Sequence, residues 1–300
     1  MRFAFILNPA ANNQKNRERG KRLETLIREY HPSAEVVYSE RRGDITAKAK
    51  ALSATHDVVV VCGGDGSVSE LMQGIGGTDC IGGVLPTGSG NDFARGIGSS
   101  LHPEVEIANL GSHRIAGVDS VAVDVDGKKS AFQNTLGIGF DGWANYYASN
   151  LKFPTGKLKY VVAALKSVAN HRAQRFDLMV DGISETCDAL MITLANGGIE
   201  GGGFYVAPDA DPEDGYLDIV IVRPIGKFGL VLRLPFLLFR RQPRFKALER
   251  RRCREIRISC HETMAAHADG ESLGLHLKSI SARVLAANAR FLIPTHPSKS

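Results

Sequence analysis

The chain has 300 residues, of which 43% are apolar and 23% charged, and a net charge of +5, the composition of a soluble globular protein with a real core in one large or two ordinary domains. No stretch approaches the ~18 uninterrupted apolar residues of a membrane span, and the N-terminal MRFAFILNPAAN is too short and too soon broken to be a secretory signal. The five cysteines have no CxxC spacing, which argues for free thiols in a reducing compartment and against a zinc site.

Residues 2–7 read as a strand broken by Asn8-Pro9, and a helix is predicted over residues 14–30. There Leu23, Leu26, Ile27 and Tyr30 repeat with the spacing of one buried face. A short strand at 36–38 and an alanine-rich helix at 45–54 follow. Residues 58–70 read VVVVCGGDGSVSE. Four valines are too few and too β-branched for a helix, so they predict a strand buried on both faces. Gly63, Gly64, Asp65 and Gly66 then lead into a helical pattern at Ser67. A strand, a glycine turn and a helix start bring bare backbone N–H groups and a helix N-terminus to a phosphate. The same residues also suit an ordinary tight turn with a local cap.

Residues 80–85 predict another strand, ending in PTGSGNDFAR (86–95). Gly88 and Gly90 flank Ser89, and Asn91 or Asp92 can cap a helix beginning at Phe93. Two such turns, one strand apart, suit a polyphosphate better than a single phosphate. Strands alternating with helices predict a parallel sheet covered on both faces, with ligands beyond the carboxyl ends of its strands.

Near residue 117 the rhythm changes, and the domain boundary is placed there. Strands are predicted at 121–125, 130–136, 175–180, 189–194, 217–222, 255–259, 263–267 and 284–285, with Asp-Gly hairpin turns at 126–127 and 181–182. One helix, 157–170, interrupts them. The second domain, 118–285, is therefore expected to be an antiparallel sandwich or curled sheet. Residues 286–300 either close it or return to the first domain. Trp143 is expected in the core, and His267 reads as a strand residue among nine scattered histidines.

Two charged segments stand out. Residues 209–214 (DADPED) hold carboxylates that repel one another unless a cation is near, or else form a solvated acidic loop. Residues 240–257 carry nine Lys/Arg against two Glu, a local charge of +7, directly after the apolar run 225–239. An apolar helix running into a cationic segment suits peripheral docking on an anionic bilayer; a buried helix with a solvated basic tail is the alternative. No motif supports nucleic acid binding.

In its two glycine turns and in Asn8-Pro9, Gly137–Asp141 (GIGFD), Asn196-Gly-Gly, Gly201–Gly203, Asp214–Asp218 (DGYLD) and Asp269-Gly-Glu271, taken in order, the chain resembles the diacylglycerol kinase catalytic-domain family. That family includes bacterial lipid kinases and sphingosine kinases. The resemblance covers nearly the whole chain. It implies an α/β nucleotide-binding domain of the NAD kinase and diacylglycerol kinase type, then an antiparallel β-sandwich domain, with ATP and Mg²⁺ in the cleft between them. It implies nucleotide contacts at Asn8, Pro9, Ser39, Gly63, Gly64, Asp65, Gly66, Ser67, Glu70, Gly88, Ser89, Asn91 and Asp92. Asp65 would hold the catalytic Mg²⁺, while Asp211, Asp214 and the Tyr216 carbonyl would form a second, structural or regulatory metal site. Asp269 would be the general base, with Glu271 close behind; read from the residues alone, Asp269-Gly270 is a third hairpin turn. Ser67 and Ser89 replace the family's usual threonines, Ser69 stands where asparagine is common, and the first loop, NPAANN, lacks the usual glycine.

The expectation is an ATP- and Mg²⁺-dependent kinase of a lipid hydroxyl, cytoplasmic and associated with the inner face of a membrane. A kinase of a soluble alcohol and a non-catalytic nucleotide- or lipid-binding protein are the alternatives.

Overall fold

The structure, a computed structural model, describes residues 1–9, 16–154, 157–241, 243 and 245–295. The chain forms two compact units, one of residues 1–120 and 286–300, the other of residues 121–285.

In the first unit, β1 (Phe3–Leu7), β2 (Glu35–Tyr38), β3 (Val58–Gly63) and β4 (Ile81–Pro86) pair in parallel in the order β2-β1-β3-β4. The end of the last strand, β16 (Glu271–Ile293), adds to β4 through Arg290–Ile81 and Phe291–Gly82, again in parallel. Side chains alternate between faces. Ala4, Ile6, Val59 and Val61 pack with α2 (Asp44–Ser53) and α3 (Asp65–Ile75). Phe5, Leu7, Val58, Val60 and Cys62 pack with α1 (Asn16–Tyr30) and α5 (Pro103–Asn109). All four valines of β3 are fully buried, each contributing roughly 1.5–3 kcal/mol. Two details differ from expectation. The helix α4 (Asp92–Gly96) begins one residue before Phe93, and α5 carries too few residues to show a period. Gln14, at the expected start of α1, lies outside the described residues.

In the second unit an antiparallel sheet runs β14 (Leu248–Cys253), β13 (Leu217–Val222), β10 (Met191–Ala195), β7 (Thr135–Gly139), β15 (Glu255–Ala268), then the first part of β16. A hairpin of β8 (Gln174–Val180) and β9 (Ile183–Ala189) joins through β8 to β15. Residues 121–125 of β5 (Arg114–Val125) pair with β6 (Lys128–Phe132). Asp126-Gly127, Asp181-Gly182 and Asp269-Gly270 all turn with positive φ at both residues (48° and 85°, 46° and 85°, 47° and 80°), the type I′ geometry of tight hairpins.

Several expected strands are cut or fused. Residues 130–136 divide at Gln133-Asn134 into β6 and β7, and 189–194 divides at Leu190. The strands expected at 255–259 and 263–267 are one strand with register shifts between Ser259 and Met264, because a bulge carries pairing across a pattern break. A helix α6 (Phe140–Asn150) escapes the sequence pattern. It opens directly from β7, and its Trp143 is only half buried, ringed by Tyr146 and Tyr147. The expected helix at 157–170 is α7 (Lys157–Asn170).

Residues 225–239 are no continuous helix. A single turn and a half, α8 (Lys227–Val231), gives way to a 3₁₀ turn, Leu234–Leu238, because Pro235 has no N–H to continue the helix. The basic segment is not a solvated tail either. Its arginines 250–252 lie in β14, where Glu249 and Glu185 contact Arg251, and Asp214 and Asp218 contact Arg252. No helix among the described residues is long and apolar enough to cross a membrane.

Candidate functional site

Because β1–β4 are parallel, their carboxyl ends share one rim. Asn8, Ser39, the turn Gly63–Ser67 and the turn Thr87–Asn91 all follow strand ends there. Asn8 N–H donates to Cys62 O (3.0 Å) and Ser39 N–H to Leu7 O (2.9 Å), so both sit against the rim. Asn8 Nδ2 also donates to Ser67 Oγ at 2.9 Å. Pro9 is half buried beside Asn8; the rest of the first loop, 10–13, lies outside the described residues.

The two glycine turns touch. A Cβ on Gly88 would fall 2.4 Å from Gly64 Cα, and one on Gly64 would fall 3.0 Å from Gly88 Cα. Neither glycine has positive φ. They are glycine because two backbones meet with no room for side chains. The second turn is closed by Asn91, whose Oδ1 accepts from Gly88 N–H and whose Nδ2 donates to Gly88 O, both at 3.0 Å. Asn91 therefore does not cap α4 as expected. Asp65 does so, Oδ1 accepting from Phe93 N–H at 2.9 Å. The α3 helix has no side-chain cap, which leaves its N-terminus suited to an anion. Ser89 is exposed and Ser67 buried.

Burial pushes the Asp65 carboxyl above the usual carboxylate range, against the pull of the backbone N–H bonds it accepts. Asp65 Oδ2 and Asp92 Oδ2 both flank Gly90, lying 2.9 and 3.3 Å from where a Cβ there would stand. Two hard oxygen donors beside a phosphate turn fit Mg²⁺, which is usually held by one or two carboxylates together with substrate phosphates. Glu70 is engaged elsewhere. Its two carboxylate oxygens accept from Gly43 N–H (3.0 Å) and Ile45 N–H (3.1 Å), holding the start of α2.

In the second unit, Asp269 Oδ2 accepts from Gln133 N–H (2.8 Å), and Oδ1 accepts from Asn134 N–H (2.9 Å) and Thr135 N–H (3.0 Å). The break between β6 and β7 is thus built on this carboxylate. The other two Asp-Gly turns do the same on a smaller scale. Asp126 accepts from Lys278 and Ser279 N–H, and Asp181 from Arg254 and Glu255 N–H. Glu271 is exposed two residues on.

The acidic loop, where a second metal site at Asp211, Asp214 and the Tyr216 carbonyl is expected, is engaged with its own backbone and with arginine. Asp211 Oδ1 accepts from Glu213 N–H, Asp214 Oδ1 accepts from Tyr216 N–H, and the Arg252 guanidinium contacts Asp214. Arg252 and Arg254 also lie 4.9 and 5.0 Å from the Tyr216 ring. Arginine thus brings positive charge to the loop, while burial and the neighbouring Asp209 and Asp211 still raise the Asp218 carboxyl to about 6.

Sequence reasoning missed one cluster. Asp141, Glu200 and His267 converge in the second unit, although 59 and 67 residues of chain separate them. Burial opposes a charge on His267, but Glu200 and Asp141 outweigh it and hold the imidazole well above the ordinary histidine value. Only the positions of Asp141 and Glu200, beside the glycine-rich stretches Gly137-Ile-Gly139 and Gly201–Gly203, hint at it.

Two glycine turns in contact at an uncapped helix start, on the carboxyl rim of a parallel sheet, form a cradle of backbone N–H groups suited to phosphate. The diacylglycerol kinase catalytic domain matches residues 2–123, and the YegS C-terminal NAD kinase beta sandwich-like domain matches residues 134–286. The chain belongs to the diacylglycerol kinase catalytic-domain family. It is 29% identical over 226 residues to a diacylglycerol kinase of Mycobacterium tuberculosis, covering 74% of this chain and 73% of that one. A crystal structure of a diacylglycerol kinase from Bacillus anthracis str. Sterne superposes with a TM-score of 0.74 at 20% identity, covering 98% of this chain and 97% of that one, a likeness of fold.

Proposed function

We propose that this kinase transfers the γ-phosphate of ATP to the hydroxyl of a lipid held at a membrane surface. The observation that carries the reading is the backbone contact between Gly64 and Gly88. It sets two N–H-rich turns side by side where a chain of phosphates needs more than one cradle. Asp65 and Asp92 would hold Mg²⁺ there; when bound, the ion neutralises the phosphate charge that opposes attack. Asp269 is the proposed proton acceptor for the lipid hydroxyl, its carboxylate held in one orientation by three backbone N–H groups.

A lipid acceptor is favoured over a soluble alcohol by the segment 227–241. Phe228, Leu232 and Phe239 are 78%, 55% and 59% exposed, and the exposed Arg240 and Arg241 follow. Apolar side chains beside cations suit an anionic bilayer, where each basic residue near the surface adds about 1 kcal/mol.

The test is ATP consumption by the purified protein with Mg²⁺ and mixed micelles of diacylglycerol, phosphatidylglycerol or sphingosine, beside Asp269→Asn. Lipid-dependent turnover, lost in the variant, is expected. Turnover unchanged in Asp269→Asn would remove Asp269 as the base and leave the class intact. ATP binding with no lipid turnover would move the reading to a soluble acceptor or a binding role.

A further inference from the structure

The cluster of Asp141, Glu200 and His267 lies within the second unit and has no part in the proposed transfer. Thr193, Gly137 and His267 form one row across β10, β7 and β15, since Gly137 pairs with both. Asp141 stands in the first turn of α6, and Glu200 lies in a two-residue strand, Ile199–Glu200. His267 is fully buried, and neither ring nitrogen has a hydrogen-bond partner. Its Nε2 lies 3.6 Å from Asp141 Oδ1 and 3.3 Å from Glu200 Oε1.

Those separations are longer than good N–H···O hydrogen bonds, which run to about 3.2 Å. They match the edge of a tetrahedral ligand set. Ligands about 2.0–2.2 Å from a zinc ion stand roughly 3.3–3.6 Å apart. The remaining carboxylate oxygens are anchored by buried hydroxyls: Thr193 Oγ1 donates to Asp141 Oδ2 at 3.2 Å, and Thr135 Oγ1 to Glu200 Oε2 at 2.9 Å. Both threonines are fully buried. Hydroxyls that fix the outer oxygens leave Oδ1 and Oε1 turned toward Nε2, the kind of outer support that ligating carboxylates receive. Gly137 keeps the space open. A Cβ there would fall 2.2 Å from Asp141 Oδ2 and 2.5 Å from His267 Nε2.

We infer that Asp141, Glu200 and His267 form a binding site for one divalent transition-metal ion of the zinc class. A metal ion takes the place of the proton that the two carboxylates otherwise hold on His267; two carboxylates and the imidazole so freed carry a charge of −2, which a divalent ion cancels where an uncompensated charge is costly. An imidazole among oxygen ligands selects zinc-like ions over Mg²⁺ and Ca²⁺. Three protein ligands leave a fourth position for water. The cysteines of the chain take no part, so the absence of CxxC spacing does not bear on this site.

The test uses the full chain, stripped with EDTA and dialysed, then titrated with ZnCl₂ alone by calorimetry and with Co²⁺ by visible absorption. One equivalent of Zn²⁺ per chain is expected, with a rise in Tm and Co²⁺ bands of a four- or five-coordinate ion. Glu200→Gln keeps the size of the side chain and should lower affinity at least tenfold and alter the Co²⁺ bands. Thr193→Val, which touches no metal, should lower affinity by about tenfold, the scale of outer-shell losses. No uptake by the parent chain would overturn the proposal and leave an ion pair of His267 with its two carboxylates. Uptake and Co²⁺ bands that are unchanged in Glu200→Gln would overturn it too, by placing the ion elsewhere.

Discussion

Asp65 Oδ1 accepts the backbone N–H of Phe93 at 2.9 Å, so the helix after the second glycine turn is held by a carboxylate from the first. One side chain thus ties the two glycine turns together and supplies oxygen beside Gly90. The two roles separate by substitution. Asp65→Ala should cost about 1–3 kcal/mol, the cost of leaving that N–H unsatisfied, as read by urea denaturation. Asp65→Asn keeps an acceptor oxygen and should recover most of that stability, while turnover stays low because the charge is gone.

Gly88→Ala tests the contact between the turns. Its Cβ would lie 2.4 Å from Gly64 Cα, a backbone atom that no rotamer change can move aside. Expected are a loss of ATP affinity of at least tenfold and a Tm lowered by a few degrees. Gly111→Ala, outside both turns, is the control, since nothing lies within 4 Å of a Cβ there; a Gly88→Ala enzyme as active as that control would show that the turns separate freely.

The three Asp-Gly turns give an internal standard for the proposed base. Asp126→Asn and Asp269→Asn each turn an acceptor oxygen into an amide that opposes a backbone N–H, so each should lose about 1–3 kcal/mol of stability, whereas Asp181 accepts both of its N–H groups on Oδ1 and Asp181→Asn should lose less. Only Asp269→Asn should also abolish turnover under conditions where all three variants remain folded. Similar turnover in the three would make Asp269 a turn residue and nothing more.

His31 predicts an acid sensitivity of the first unit. It packs against Phe3 and Phe5, with ring centroids at 4.5 and 5.5 Å. Burial lowers its proton affinity below the ordinary value of 6.5, although a hydrogen bond with the Ile107 backbone opposes the shift. The unfolded chain then binds the extra proton first, so this contribution is present above pH 6.5 and is lost as pH falls below it. His31→Gln should flatten the fall in Tm between pH 7 and pH 5; an unchanged slope would assign it to other groups.

Membrane docking is tested by flotation with vesicles containing phosphatidylglycerol. Phe228→Ser combined with Phe239→Ser should reduce bound protein several-fold, and Arg240→Glu with Arg241→Glu should do so chiefly at low salt, since surface charge effects are screened as salt rises. Equal binding to neutral vesicles would remove the electrostatic half of the proposal.

What the sequence made legible was local. The valines of β3, buried on both faces, and the Asp-Gly turns each announce themselves within a few residues. Asn91 looked like a cap because Asn often is one; its actual clasp on Gly88 depends on a left-handed φ of 56° that composition does not display. The arginine beside the acidic loop was not legible, because Arg252 is 38 residues from Asp214 and reaches it through the pairing of β13 with β14. The cluster around His267 was invisible for the same reason. Its members meet only once β7, β10 and β15 are aligned. The family resemblance supplied the order of the motifs, and the pairing of strands supplied the partners.

The last strand has a consequence for how the protein is made. Residues 290–291 complete the edge of the first unit's sheet by pairing with β4, and Phe291 fills the space that Gly82 leaves, its ring 5.2 Å from that of Phe93. A ribosome releases the first 120 residues long before these arrive. Until then β4 presents an open row of backbone N–H and C=O groups, the kind of edge that recruits strands from other chains. Synthesis of the N-terminal half alone should therefore yield aggregates, and a chain cut before residue 289 should lose the edge strand of the first unit's sheet.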